Sequence, residues 1–347
     1  IEYEPGSVFL YNSAGSFMLS AIVQKAPGEK LIDYLQPRLF GPLGIEGADW
    51  EVNPQGINVG GWGLRVKTED MAKLGLLYLQ KGRWGDQQIL SGEWVEAATS
   101  KQINTVEGEG DPASAWAQGY GYQFWQTTHN AFRGDGAFGQ YILVLPEQAA
   151  VVAMTANVQD MQKEINLVWE HLLPAFQDAP LPEDEEAQAE LKGRLTTLSL
   201  PTYTNETTSP LGESITGKVI SFNKNPLHLS EVTLRFEGDA CIMEMQQDTE
   251  RYAFTFGNTS WEEGDTPRQG LNLLRGTRSN QTGLAPFKVA GNYRWVDDQS
   301  LELVLRYIGG LNDERFLFTF AEPAVTVEYT TNFDFYQNKI GMEGNMQ

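Results

Sequence analysis

Near residue 119 the apolar side chains change period, and this switch constrains the fold more than any single motif does. Before it they recur three and four apart, the spacing of one helix face. After it they alternate or run in short blocks, the spacing of strands. Residues 17–26 carry Leu19, Ile22, Val23 and Ala26 on one stripe, which is expected to be buried, and Pro27-Gly28 stops that helix. Residues 31–40 read as a second helix, ended by Gly41-Pro42-Leu43-Gly44, and residues 45–67 as a long connection containing Gly60-Gly61-Trp62-Gly63-Leu64. Thr68 is the expected N-cap of a helix running to Gln80, with Glu69 and Asp70 in its first turn, and residues 92–100 are a further short helix. This first stretch reads as all-α with long loops.

Beyond the switch, residues 119–125 alternate like a strand, 130–139 read as a turn, and 141–145 and 150–155 are apolar strands joined by Pro146-Glu147-Gln148, which makes an antiparallel meander. Residues 160–176 put Ile165, Val168, Trp169 and Leu172 on one helix face, so a long helix is expected to pack on the sheet. Pro180-Leu181-Pro182 and the acidic run from Glu183 to Glu186 read as a solvated linker. The expected organisation is therefore a first domain over 1–178, a partly helical connector over 179–212, and an all-β domain over 213–347. Short alternating segments such as 218–222, 231–236, 241–246, 252–256, 301–307 and 315–320 make that last domain a barrel or a sandwich.

Composition bounds the partners. A net charge of −21 repels nucleic acid, and no basic stripe offsets it. No run approaches the 18 apolar residues of a membrane span. The single cysteine, Cys241, excludes an internal disulfide and is expected to be buried; it leaves the compartment open, favouring a cytoplasmic chain slightly over a periplasmic or secreted one. His129, His171 and His228 are too far apart in sequence to show metal-ligand spacing, and no cofactor is expected. The chain opens on Ile rather than Met, so a preceding segment is expected.

Two stretches carry candidate chemistry. Tyr11-Asn12-Ser13 sits between the apolar run Val8-Phe9-Leu10 and the first helix, and residues two apart share a cavity only where the backbone is irregular. Arg133-Gly134-Asp135-Gly136-Ala137-Phe138-Gly139-Gln140 is a glycine-rich entry to a strand, where a backbone can approach a ligand closely. Taken in order, Tyr-x-Ser before helices, Gly-Gly-Trp-Gly-Leu before a helix, and this glycine-rich stretch before a strand, residues 8–176 resemble the later part of the serine β-lactamase and penicillin-binding-protein superfamily. The likeness is greatest to its class C-like branch, which includes esterases and peptidases.

The resemblance implies an α+β fold, an antiparallel sheet flanked by helices with an all-α insertion, here truncated at the N-terminus. It implies acyl transfer, in which a serine attacks an ester or amide carbonyl and water releases the acyl group. On the matching positions Tyr11 becomes the proton shuttle, and Ser13 stands where the family has an amide, removing an NH2 donor. Gly134-Asp135-Gly136 falls on the family's Lys-Thr-Gly or His-x-Gly element without its cation. Arg133, one residue away, is the substitute; alternatively Asp135 turns the preference away from carboxylate-bearing substrates. The N–H of Ala137 becomes half of an oxyanion hole. Trp62 and Trp125 are candidate walls of an acyl pocket and His129 a candidate pocket residue.

The family's Ser-x-x-Lys lies upstream of the Tyr motif, and only ten residues precede Tyr11. The one match in the sequence, Ser221-Phe222-Asn223-Lys224, lies in the β-domain, in the wrong order and in strand-like surroundings. The expected function is thus a β-lactamase-related serine hydrolase acting on a small ester or amide, with its nucleophile outside this sequence; the alternative is a catalytically inactive binding protein of the same fold. Uncovered apolar surface is expected to be met by a separate N-terminal fragment or by a homodimer.

Overall fold

Asn12 starts the first helix. Its backbone is extended and its side chain accepts from the N–H of Gly15 at 3.0 Å, so α1 runs over Ser13–Lys25. The face it buries is not the apolar stripe. Ser16 and Ser20 meet the glycine loop, where a Cβ on Gly60 would lie 2.6 Å from Ser20 Cβ and one on Gly61 2.8 Å from the Ser13 carbonyl oxygen. Only small side chains allow that approach, and Ser20 Oγ seals it by donating to Asn58 O at 2.7 Å. Leu19, Ile22 and Val23, expected to be buried, are instead 54, 60 and 37% exposed, as is Met18 at 55%.

The computed structural model describes residues 3–106, 110–202, 209–270, 286–333 and 339–347. After α1 come α2 (Leu31–Leu35), which continues as a wider turn through Gln36–Phe40, and a two-stranded pair of β1 (Asp49–Trp50) and β2 (Leu64–Arg65). That pair corrects the all-α reading: the 45–67 connection is tied at its ends by a ladder, reinforced by an Arg65–Asp49 ion pair. α3 spans Thr68–Leu79 and is capped at Lys67; Thr68 uses its hydroxyl on Thr155 Oγ1 at 3.0 Å instead of capping. A hairpin of β3 (Arg83–Trp84) and β4 (Gln87–Gln88) leads to α4 (Gly92–Thr99), capped by Ser91.

The sheet that positions the candidate site has the order β5-β6-β7-β8, all antiparallel, from β5 (Trp125–Gln126), β6 (Phe132–Gly136), β7 (Gln140–Leu145) and β8 (Ala150–Met154). Residues 130–139, read as a turn, contain a full strand between Asn130, which ends the preceding turn at positive φ (51°), and a second turn at 137–139 carried by positive φ at Phe138 (62°) and Gly139 (92°). Gln140 pins it, its amide donating to Ala137 O at 3.1 Å and to Ala156 O. Of the alternating stretch 119–125, only its last residue enters the ladder, Tyr120 making single bridges to Ile103 and Trp125.

Side chains of directly paired residues share a face. Arg133, Leu143 and Trp125 therefore point one way with Asp135 and Tyr141, while Ile142 points the other. α5 (Met161–Leu167), extended by Val168–Leu172 and Leu173–Ala175, packs Ile165 and Val168 against Tyr141 and Leu143 on the first face. α3 packs on the second, where a Cβ on Gly75 would meet Val151 at 2.5 Å and Ile142 at 2.8 Å.

Near Pro182 the chain passes into a second unit. The acidic run, read as linker, begins a helix: Asp184 accepts from Ala187 N at 2.9 Å and α6 spans Glu185–Thr197, exposed throughout. After α7 (Leu211–Ile215) come ten strands: β9 (Val219–Phe222), β10 (Leu229–Glu237), β11 (Ala240–Gln247), β12 (Glu250–Gly257), β13 (Glu262–Thr266), β14 (Phe287–Asp297), β15 (Ser300–Tyr307), β16 (Asp313–Ala321), β17 (Ala324–Thr331) and β18 (Ile340–Met346). Their order is β12-β11-β10-β9-β18-β17-β16-β15-β14-β13, and β12 bridges to β14, so the sheet closes and the barrel is chosen over the sandwich.

Alternate residues such as Val232, Leu234, Met243, Phe316, Phe318 and Val327 fill the barrel, and Cys241 is fully buried among them, as expected. One charged group enters this core. Arg268 reaches Gln247 Oε1, Tyr307 Oη and Glu314 Oε2 at 2.7–2.8 Å, and although burial works against its charge, the Glu314 carboxylate and the Tyr307 and Tyr329 phenols more than hold it.

Candidate active site

The site is assembled on the face of the sheet that β6 shares with Trp125. Arg133 is fully buried and its guanidinium is spent inside the protein. Nη1 donates to Ala115 O (2.9 Å) and Gln126 O (3.3 Å), Nη2 donates to Asp135 Oδ2 (3.1 Å), and Nε lies 2.8 Å from Asp135 Oδ1. Trp116 Nε1 donates to the same carboxylate at 3.0 Å, and the guanidinium lies over the Trp116 ring at 4.9 Å. Arg133 is thus no substitute for the family's substrate-facing cation, because Asp135, two residues along the same strand face, neutralises it.

Burial shifts both partners. Asp135 is pushed up from an ordinary 3.8 to about 6, Arg133 and Trp116 opposing the rise, and the Arg133 guanidinium is pushed down. Glu164, at the start of α5, is raised to about 7 by burial; one of its oxygens is closed off from solvent and would lie 2.0 Å from a Cβ on Gly139. A carboxyl whose pKa is raised on folding stabilises the fold below its unfolded value, and that stability is lost as pH rises through the folded value. The melting temperature of the wild type is accordingly expected to fall, relative to an Asp135→Asn variant, between about pH 4 and 6; parallel curves would remove the assigned shift.

Beside this pair lies an aromatic cluster. Tyr11 stacks on Trp125 (centroids 5.9 Å, 18°), Tyr120 stands edge-on to both Trp125 (4.8 Å) and Tyr11 (6.4 Å), and Phe9 closes the group at 5.1 Å from Tyr120 and 5.5 Å from Trp125. Burial pushes the Tyr11 phenol above its usual 10, and the Asp135 charge adds to the rise. A Tyr11 base therefore needs a cation that Arg133 does not supply.

β5 pairs only with Phe132 and Arg133, so residues 134–136 of β6 have no strand partner on that side among the described residues. Gly134 has open space where a Cβ would be, Gly136 faces Gln140, and Ala137 follows in the turn. A small extended group can lie along this edge with its carbonyl toward the turn.

The other expected positions are placed elsewhere. Ser13 is the first residue of α1, and its contact is with Gly61. Trp62 belongs to the packing of its own loop, its carbonyl accepting from Trp50 Nε1 at 2.8 Å and its side chain hydrogen-bonded to Glu51. His129 is exposed at the β5–β6 hairpin, 4.6 Å from the Trp169 ring, with about 13 Å of strand between that end of β6 and Gly136. Ser221 lies in β9 of the barrel, where the rejected Ser-x-x-Lys match was expected. Three site residues had no motif to announce them: Trp116, Tyr120 and Glu164. Only Tyr120 left a trace, as a tyrosine between glycines in the 119–125 alternation.

The family model described as Beta-lactamase matches residues 1–173. Through these residues the chain belongs to the β-lactamase family, within the serine β-lactamase and penicillin-binding-protein superfamily. The 6-aminohexanoate-dimer hydrolase of Paenarthrobacter ureafaciens is 27% identical over 159 residues, covering 44% of this chain and 40% of that protein. The chain thus matches less than half the length of this curated relative. A structure described as a candidate 6-aminohexanoate-dimer hydrolase from Bacillus anthracis overlaps 57% of this chain and 47% of its own at 22% identity, with a TM-score of 0.42. The octameric penicillin-binding protein homologue from Pyrococcus abyssi overlaps 98% of this chain and 66% of its own at 15% identity, with a TM-score of 0.40. In this β-lactamase-family chain, the mixed α/β unit is followed by a C-terminal barrel. Among the described residues no helix is long and apolar enough to cross a membrane, and no group of three or more His, Cys, Asp or Glu is placed to hold a metal.

Proposed function

We propose that this chain carries the tyrosine and edge-strand half of a serine hydrolase site that cleaves a small ester or amide through an acyl-enzyme. The serine and lysine of Ser-x-x-Lys come from outside the 347 residues. The observation that carries the reading is the position of Tyr11, in electrostatic reach of Asp135 and next to the unpaired edge at 134–136.

In this reading the substrate carbonyl lies at that edge with its oxygen on the N–H of Ala137, and the serine hydroxyl gives its proton to Tyr11. The tetrahedral intermediate collapses as Tyr11 returns the proton to the leaving oxygen or nitrogen. Water then repeats the sequence on the acyl group. A lysine beside Tyr11 would lower the phenol that burial and Asp135 now hold up. The closed Arg133–Asp135 pair leaves no free cation on β6 for a substrate carboxylate, which favours an esterase or peptidase over a β-lactamase.

The exposed Met18, Leu19, Ile22 and Val23 face of α1 is where a separate fragment or a second copy of the chain would pack. The inactive-binder reading draws on one fact, the anion placed where the family has a cation. Expression of the protein as its gene encodes it, followed by assay on short-chain p-nitrophenyl esters, separates the two. Turnover with labelling by a fluorophosphonate is expected; neither turnover nor label would leave the binder.

A further inference from the structure

Tyr120 is built into the site as firmly as Tyr11. Its backbone is held on both sides, its N–H donating to Ile103 O (3.0 Å) and its carbonyl accepting from Gln102 N (2.8 Å) and Ile103 N (3.2 Å). Its ring is fixed by Phe9, Tyr11 and Trp125. The hydroxyl that these contacts aim makes no hydrogen bond among the described residues, and neither does that of Tyr11.

Neither phenol hydrogen-bonds to Asp135, whose Oδ2 accepts from Arg133 and Trp116 and whose Oδ1 lies 2.8 Å from Arg133 Nε. Two unbonded phenols thus lie within electrostatic reach of each other and of Asp135, on the strand whose edge is unpaired, and in a water-excluded complex each needs a substrate atom as partner. Their surroundings separate them. Burial, the neighbouring Tyr11 and the Asp135 charge push Tyr120 far above the usual phenol range, while Tyr11 is raised only by burial and Asp135. Tyr120 keeps its proton throughout the working pH range and acts as a donor.

We infer that Tyr120 is a further catalytic residue, whose hydroxyl donates a hydrogen bond to the leaving oxygen or nitrogen of the substrate and holds it beside Tyr11. The proton that reaches the leaving group is the one Tyr11 took from the serine. The Tyr120 proton stays on Tyr120, and the bond that breaks is the acyl carbon to heteroatom bond. The inference rests on the hydrolase reading above.

The test is Tyr120→Phe in the protein as encoded, which keeps the ring and its packing, compared with wild type and Tyr11→Phe on matched p-nitrophenyl and alkyl esters of one acid. Help to the leaving atom matters for the alkoxide and little for p-nitrophenolate. Tyr120→Phe is therefore expected to lower kcat on the alkyl ester about 10- to 100-fold, and on the p-nitrophenyl ester less than about threefold, with KM and melting temperature unchanged. Equal losses on both esters, or none on the alkyl ester while Tyr11→Phe is inactive, overturn the role of Tyr120 alone. A wild type without turnover, or a Tyr11→Phe variant as active as wild type, overturns the hydrolase reading and this inference with it.

Discussion

Replacing Tyr11 by phenylalanine is expected to lower kcat/KM for ester hydrolysis by about 10³-fold, the loss of one positioned proton-transfer group. The ring is retained, so stacking on Trp125 and the melting temperature should not change. The effect is assigned to Tyr11 because Asp135, the charged group nearest it, is committed elsewhere and the neighbouring Tyr120 phenol, pushed further above the usual range, keeps its proton. Asp135 is held by Arg133 and Trp116, and Ser13 packs on the Gly61 loop. A pH profile checks the assignment independently: the limb that reports the base should vanish in Tyr11→Phe and survive in Ser13→Ala. Loss of the same limb in Ser13→Ala would move the chemistry off Tyr11.

Arg133→Leu is expected to destabilise the first unit by about 3–5 kcal/mol, because it leaves the Asp135 carboxylate buried and unpaired and frees the Ala115 and Gln126 carbonyls. With the usual size dependence, that is a fall of about 10 °C in the unfolding midpoint, read by near-ultraviolet circular dichroism, which the tryptophans of this unit dominate. The double variant Arg133→Leu, Asp135→Leu should regain most of the loss, since removing both charges removes the desolvation penalty as well. If the single variant unfolded within 2 °C of wild type, as expected for an exposed pair worth about 1 kcal/mol or less, the pair would not be a buried one.

The parts of this fold that could be read in the sequence were those set by local chemistry. The strands at 141–145 and 150–155 and the helices at 68–80 and 92–100 followed from period, because neighbouring residues decide those elements, whereas the cap expected at Thr68 lies one residue earlier, at Lys67. What could not be read depended on partners distant in sequence. The stripe of α1 was assigned to the core because its spacing is amphipathic, yet Gly60 and Gly61 select the serine face instead. Strand β6 was hidden by its glycines, which have low strand propensity and are tolerated here because β7 pairs every residue of it. In the same way, Tyr11 and the Gly134 to Ala137 element could be picked out by motif order, whereas Trp116, Tyr120 and Glu164 enter the site from a loop and a helix that no spacing connects to it. Arg133 shows the limit most clearly: from sequence it was a free cation one position out of register, and in the fold it is the buried counter-charge of Asp135.

The most direct test of the account is to label the protein as encoded with a fluorophosphonate and map the adduct by mass spectrometry, with and without the Tyr11→Phe change. The account predicts one modified serine, the first residue of a Ser-x-x-Lys outside residues 1–347, with labelling strongly slowed in the variant. An adduct on Ser13 or Ser221, or labelling indifferent to Tyr11, would contradict it.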